Sequence, residues 1–449
     1  MNTSQPQPVH WGSALQFGFS LLATAALLLF GAVALLLYGL SFSQGLPNDS
    51  LLLVGSGLVF SSLLVLPSGL YALLRLLNRP AQLGALSKIH LPIWLPLAIT
   101  PILAALGGWV NQNPATRPLL PLFHISVISL PLWFFYQIGK RGLSVGSRQK
   151  TWGVFAASFT LGPLLMLVLE FAALLVVIVI AAVGMSQQPE LRAMLERFAI
   201  SPPSPQIATE LMLPYIESPR ALFGVLVFGA VIVPLIEEIF KPMGLWLLIN
   251  RRLTAAQGLA AGLLGGTAYA LIESLLNSAS AGDQWLLVIG ARIGTGLLHI
   301  VTTGIMGWAM VRAWNGKRYL ELGLAYLSAV TLHLLWNGFT LLGSWGLLLQ
   351  ELQPEPSPLA RAAALGFYVL PLLGVAMFAL LFGLRRLPGV QGDGEAPKAA
   401  PAPINAASPQ PPSAPLGDAD ALTGAAPSPE SPAALASPPS QPDTTLPSH

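Results

Sequence analysis

Two carboxylates and an ammonium, Glu237, Glu238 and Lys241, stand inside the stretch Ala221 to Ile249, which is otherwise apolar enough to cross a bilayer. An ionisable side chain near the bilayer centre costs roughly 2.5 to 3.5 kcal/mol on insertion scales, so three in one span require partners or a use. Glu237 and Glu238 precede Lys241 by four and three residues, the spacings at which side chains meet on a helix. Either acid can therefore be paired while the other stays free. Two neighbouring carboxylates in a poorly hydrated site titrate apart, which suits one of them to accept a proton near neutral pH. A buried Glu-Lys pair can also fix helix packing or line an ion path, and this motif alone leaves those readings open.

The possible partners lie downstream, where Glu273, Arg292, His299 and His333 each fall within a later apolar stretch. His299 and His333 sit near the middle of consecutive stretches, hence at matching depth. Two imidazoles with a carboxylate from a third helix are the groups from which a catalytic zinc site is built, three protein ligands and one open position. Glu273 is the candidate third ligand. No His-Glu-x-x-His pair exists, so a metal would have to be gathered from separate helices. Each of these groups has a polar or aromatic neighbour one or two turns away: Tyr269 for Glu273, Arg292 and Thr303 for His299, Asn337 for His333. Pro234 and Pro242 lack the N–H that would bond four residues back, and a broken helix within a membrane marks a polar pocket. Gly258, Gly262 and Gly266, then Gly290 and Gly294, recur at the interval that lets helices approach closely.

The elements that must position these groups follow from composition. Of 449 residues, 54% are hydrophobic and 9% charged, against about 25% charged in soluble domains. About ten apolar stretches approach the roughly 20 residues a span needs: Leu15 to Leu40, Leu51 to Leu74, Leu91 to Val110, Leu119 to Ile138, Val154 to Val183, Ala221 to Ile249, Ala256 to Asn277, Trp285 to Trp314, Leu320 to Leu349 and Leu359 to Leu384. The expected fold is an all-α polytopic transmembrane bundle, because helices satisfy their own backbone hydrogen bonds where water is absent. Lys and Arg cluster after the even-numbered spans, which predicts that both termini are cytoplasmic. The first stretch is too long for a signal-peptide core and reads as a retained helix. Cysteine is absent, which rules out disulfides and thiolate ligands, and the net charge of +3 is explained by membrane topology without nucleic acid as a partner.

The ionisable residues divide the chain. Residues 1–220 form a scaffold of about five helices, with His124 and Glu170 as its main intramembrane polar groups and an outside loop at 186–220. That loop holds a short amphipathic helix candidate, Glu190 to Phe198. Residues 221–349 carry nearly all the unusual chemistry, 350–387 form the final transmembrane helix, and 388–449, rich in Pro, Ala and Ser, are expected to be a disordered tail.

The block Pro234-x-x-Glu237-Glu238-x-x-Lys241, then Gly266-x-x-Tyr269-x-x-x-Glu273, then Arg292 leading to His299-x-x-x-Thr303-x-x-x-Gly307, then His333-x-x-Trp336-Asn337 resembles the PrsW family of intramembrane proteases. That family is similar to the CAAX-type prenyl endopeptidases and their bacterial relatives. The resemblance spans about Val231 to Phe339. It implies cleavage of a membrane protein, such as an anti-sigma factor, at the bacterial cytoplasmic membrane, with Glu237 and Glu238 as the acidic pair and Glu273, His299 and His333 as the other functional positions. The family often has Asn after the third-motif acid, where this chain has Ser274.

Together these readings give an expected mechanism. Glu273, His299 and His333 hold zinc, Glu237 takes a proton from the attacking water and passes it to the leaving amine, and Glu238 pairs with Lys241, the two acids being exchangeable. Arg292 and Asn337 steady the oxyanion. A metal-free variant has the three glutamates activate water directly. Two other classes fit the polar residues alone: a secondary transporter relaying protons or cations across a broken helix, for which no repeat of the Glu237 to Lys241 block is found, and a scaffold without turnover.

Overall fold

The structure is a computed structural model and describes residues 10–79, 92–186, 188–201, 203–353 and 355–391. Those residues fold as helices: α1 (Trp11–Ser43), α2 (Asp49–Leu76), α3 (Leu95–Gln112), α4 (Leu120–Gly139), α5 (Arg148–Ser186), α6 (Pro189–Ile200), α7 (Pro205–Ile216), α8 (Pro219–Leu226), α9 (Val233–Phe240), α10 (Met243–Trp246), α11 (Ala255–Asn277), α12 (Trp285–Gly316), α13 (Tyr319–Leu352), α14 (Pro358–Ala364) and α15 (Val369–Gly383). Among the described residues, nine helical segments are long and apolar enough to cross a membrane. The third apolar stretch is the one outside that set. It closes as α3, only 18 residues long, which carries Pro96 and Pro101 and ends in Asn111-Gln112. The outside loop contains the anticipated amphipathic helix as α6 and a second helix, α7, that begins at Pro205 with Ser204 as its cap. Residues Pro388 to Gln391 pack on the bundle, with Val390 buried and the Pro388 carbonyl accepting from Trp308 and Arg312. The remainder of the expected tail, 392–449, lies outside the described residues, as do Lys88 and Lys398.

The bundle is built around α11. Thr254 and Gln257 form a capping box that starts it, and 89% of its apolar window is buried, against 6% for the lipid-facing α5. Small residues place it there. A Cβ added at Gly262 would run into the Thr303 carbonyl and the Gly304 backbone, and one at Gly266 into the His299 carbonyl and Ile300, so α11 and α12 touch backbone to backbone. On the far side of α12, Gly294 takes the Trp336 ring of α13, whose Nε1 donates to Thr295 Oγ1 at 3.0 Å. His124 of α4 ties three helices: Trp285 Nε1 donates to its Nδ1 at 3.1 Å, which leaves Nε2 to donate to the Leu275 carbonyl at 3.1 Å. This buried imidazole is fully used in packing. The α1, α2 and α5 helices are joined by a polar cluster, in which Gln16 donates to Ser68 Oγ at 3.0 Å and Gln149 to Ser13 Oγ at 2.9 Å.

The glycine contact gives a direct expectation. Gly266→Ala overpacks the α11–α12 seam, costs about 1–3 kcal/mol and displaces the backbone of His299, whereas Gly290→Ala, on α12 where an added methyl meets nothing, stabilises the helix by up to about 1 kcal/mol. Thermal unfolding of the two variants in detergent checks the difference.

The sixth span is interrupted as the prolines require, by a specific device. Between α8 and α9, residues Val227–Ile232 form a π turn in which hydrogen bonds reach five residues back, and Val233 N–H bonds the Phe228 carbonyl. The next donor in that register would be Pro234, which has none. The Gly229 carbonyl left over accepts from Asn337 Nδ2 of α13 at 3.0 Å. Tyr326, also on α13, donates its hydroxyl to the Leu235 carbonyl at 2.8 Å. At the other end the helix stops at Phe240, Pro242 begins a turn, and the Trp246 indole donates to the Ile239 carbonyl at 2.8 Å. The short α9 is thus held at both ends by side chains, which fixes the direction of its two acids.

Candidate active site

Four helices bring the ionisable residues together. From α9 come Glu237 and Glu238, followed by Lys241 in the turn; α11 supplies Tyr269 and Glu273, α12 Arg292 and His299, and α13 His333. Glu238, Lys241, His299 and His333 are buried to within 1% of complete, and Glu237 is 5% exposed. Burial on this scale removes the solvent that would otherwise screen these charges, so each must be answered by a protein group.

Lys241 is the hub of the first half. Its Nζ lies 2.7 Å from Glu238 Oε1 and 2.9 Å from Glu237 Oε2, 3.1 Å from His333 Nδ1, and 5.2 Å over the Tyr269 ring. Glu238 Oε1 is also 2.8 Å from His333 Nδ1. His333 Nε2 points the other way, 3.8 Å from Glu237 Oε2. In the second half, Glu273 Oε2 is 2.7 Å from His299 Nε2 and 2.5 Å from Arg292. Asn277 donates to Glu273 Oε1 at 3.1 Å. Arg292 Nε reaches Ser274 Oγ at 3.2 Å, so the serine that stands where asparagine is often found keeps a hydrogen bond to this network.

The two halves meet at the imidazoles, whose ring centroids are 5.4 Å apart. Each ring is held through one nitrogen by a carboxylate, His299 by Glu273 and His333 by Glu238, which fixes its orientation. The free nitrogens are His299 Nδ1, buried and without a hydrogen-bond partner among the described residues, and His333 Nε2. One ligand atom from each of Glu237, His299 and His333 lies within 4.8 Å of the others. That donor set fits a divalent cation: two imidazole nitrogens, one carboxylate oxygen, an orphaned buried nitrogen, and a cluster in which three carboxylates face two cations, leaving negative charge in excess.

The structure therefore gathers six of the seven site residues expected from the sequence into one connected network, with a different trio at its centre. Glu237 faces the two imidazoles, while both oxygens of Glu273 are engaged by His299, Arg292 and Asn277. The seventh, Asn337, uses its amide on the Gly229 carbonyl at the π turn.

Two contributors were named in the sequence without a role of their own in the site. Glu170, half-buried on α5, lies within electrostatic range of Glu237, Glu273 and Lys241, and its Oε1 has no hydrogen-bond partner among the described residues. The sequence placed this acid in the scaffold, in the most apolar of the spans, and the cost of charge there was the signal that it has a partner or a use. Tyr269, noted only as a neighbour of Glu273, directs its hydroxyl to Glu237 and packs edge-on against His299, with ring centroids 4.9 Å apart.

No curated protein and no solved structure matches the chain. A family model does, over residues 150–376, which run from α5 through most of α15 and contain every residue of the network. That match covers half the chain, and it agrees with nine membrane-length helices around a buried Glu-His-His cluster: the chain belongs to the PrsW family of intramembrane metalloproteases.

Proposed function

We propose that this protein is an endopeptidase of a bacterial cell membrane that hydrolyses a peptide bond of a membrane-protein substrate, with Glu237 as the proton carrier between His299 and His333. The observation that carries the reading is the convergence of those three groups within 4.8 Å, each imidazole oriented by a further carboxylate. Glu237 accepts a proton as water adds to the peptide carbonyl, forming the C–O bond and a tetrahedral oxyanion, and then delivers that proton to the amine nitrogen as the C–N bond breaks. Lys241 holds Glu237 in place through their ion pair, and Glu238 holds Lys241 and His333 in place. Arg292, anchored on Glu273, lies beside His299 with a charge of the sign needed to steady an oxyanion. Asn337 serves by fixing the π turn that leads into α9.

The free nitrogens of His299 and His333 would hold a divalent cation beside Glu237, zinc by the nature of the donors. When bound, such an ion supplies Lewis acidity and lowers the pKa of water. The ion pair between Lys241 and Glu237 favours a second reading, in which the glutamate and the two imidazoles activate water without metal. Metal content separates them. Purified protein is expected to carry about one zinc per chain, and the His299→Ala, His333→Ala double variant less than about a tenth of that; equal content in both would remove the metal.

The resemblance to PrsW proteases supports a regulatory substrate with a membrane span, such as an anti-sigma factor. Co-reconstitution of the full chain with single-span candidates in liposomes tests this. Cleavage that persists unchanged in both Glu237→Gln and His333→Ala would refute the assignment.

A further inference from the structure

On the face of α11 opposite Tyr269 and Glu273, a cavity of about 380 Å³ opens between α2, α4, α5 and α11. It falls in the size range of small-molecule sites and has their usual lining, mainly apolar and aromatic with a few polar groups, among them Ser129, Gln137 and Thr267. Trp133, Trp152, Leu264 and Leu271 form the walls, and Lys140, at the end of α4, lines the cavity beside Tyr136.

Lys140 is the informative residue. Its Nζ rests over the Tyr136 ring, 4.9 Å from the centroid, and no carboxylate pairs with it among the described residues. Burial pulls its ammonium below the usual lysine range, as expected for a charge without an acidic partner. The segment that follows, Lys140 to Lys150, adds Arg141 and Arg148 and contains no Asp or Glu. Lys241 and Arg292 each have a carboxylate; Lys140, half-buried, faces a cavity instead.

We propose that the cavity binds an anionic phospholipid, one acyl chain lying between α4 and α11 and the phosphate pairing with Lys140. A basic pocket between transmembrane helices next to a membrane surface is the recognised form of such a site, and the apolar walls match an acyl chain in a way no soluble anion would use. The bound lipid would support α11 from behind, on the face turned away from the carboxylates. This inference concerns binding alone and does not depend on the protease reading.

The test uses the full chain in detergent and brominated phospholipids, which quench tryptophan, Trp133 and Trp152 being in the cavity wall. Phosphatidylglycerol is expected to quench with an affinity about tenfold above that of phosphatidylcholine with the same chains, the equivalent of about 1.4 kcal/mol. Lys140→Glu removes that preference, and Leu271→Trp, which fills the cavity, weakens both lipids. Lys317→Glu, a charge reversal at the end of α12, leaves the preference in place. Thermal unfolding confirms that each variant is folded. Equal affinities for the two lipids in the native chain, an undiminished preference in Lys140→Glu, or an equal loss in Lys317→Glu would each overturn the proposal. Competition by inorganic phosphate at the lipid's concentration would show a free anion site and overturn it as well.

Discussion

Glu237→Gln is expected to lower cleavage of a reconstituted substrate by about 10²- to 10⁴-fold, the usual contribution of a positioned proton carrier, while leaving the fold intact. The amide keeps the size of the carboxylate but cannot take up the proton of water. The substitution leaves Lys241 with the Glu238 carboxylate at 2.7 Å and with the amide oxygen of the new side chain, so the buried ammonium is still answered. Substrate turnover in proteoliposomes and thermal unfolding of the same preparation give the two readouts. A variant that loses both activity and stability would recast Glu237 as a structural group.

The second large effect falls on stability. Lys241 is fully buried and lies within hydrogen-bond distance of two carboxylates and an imidazole. Lys241→Met leaves Glu237 and Glu238 adjacent and uncompensated, and breaking a buried pair by removing one partner costs about 3–5 kcal/mol. Adding Glu238→Gln to Lys241→Met should recover a good part of this, because one of the stranded charges is then gone. Unfolding in detergent, followed for the single and double variants, measures the recovery. If the double variant is no more stable than the single, the loss comes from packing of the lysine stem and the electrostatic account fails.

Much of the bundle was legible because a membrane imposes one rule on every span, so apolar length alone located the helices. The third stretch shows the limit of that rule: α3 starts beside Pro96 and closes in the polar pair Asn111-Gln112 after 18 residues. For the network, the cost of charge in lipid pointed to Glu237, Glu238, Lys241, Glu273, His299 and His333 before any contact was known. Partner choice was not readable. Whether Glu237 or Glu273 faces the imidazoles depends on how α11 and α12 are rotated, which backbone contact at Gly266 sets and helical periodicity cannot. The duty of Asn337 was hidden for a related reason, since its partner is a carbonyl exposed by a change of helical pitch rather than by sequence spacing.

The wide turn at Val227–Ile232 carries one residue more than an α-helix of the same rise would need. Each residue of an α-helix advances about 100° around its axis, so this single extra position decides which way everything beyond it is aimed. Winding the same residues as regular α-helix would swing both acids of α9 by about 100°, away from the imidazoles. The hydrophobic profile of the span would scarcely register the change, yet the enzyme's chemistry would be disassembled.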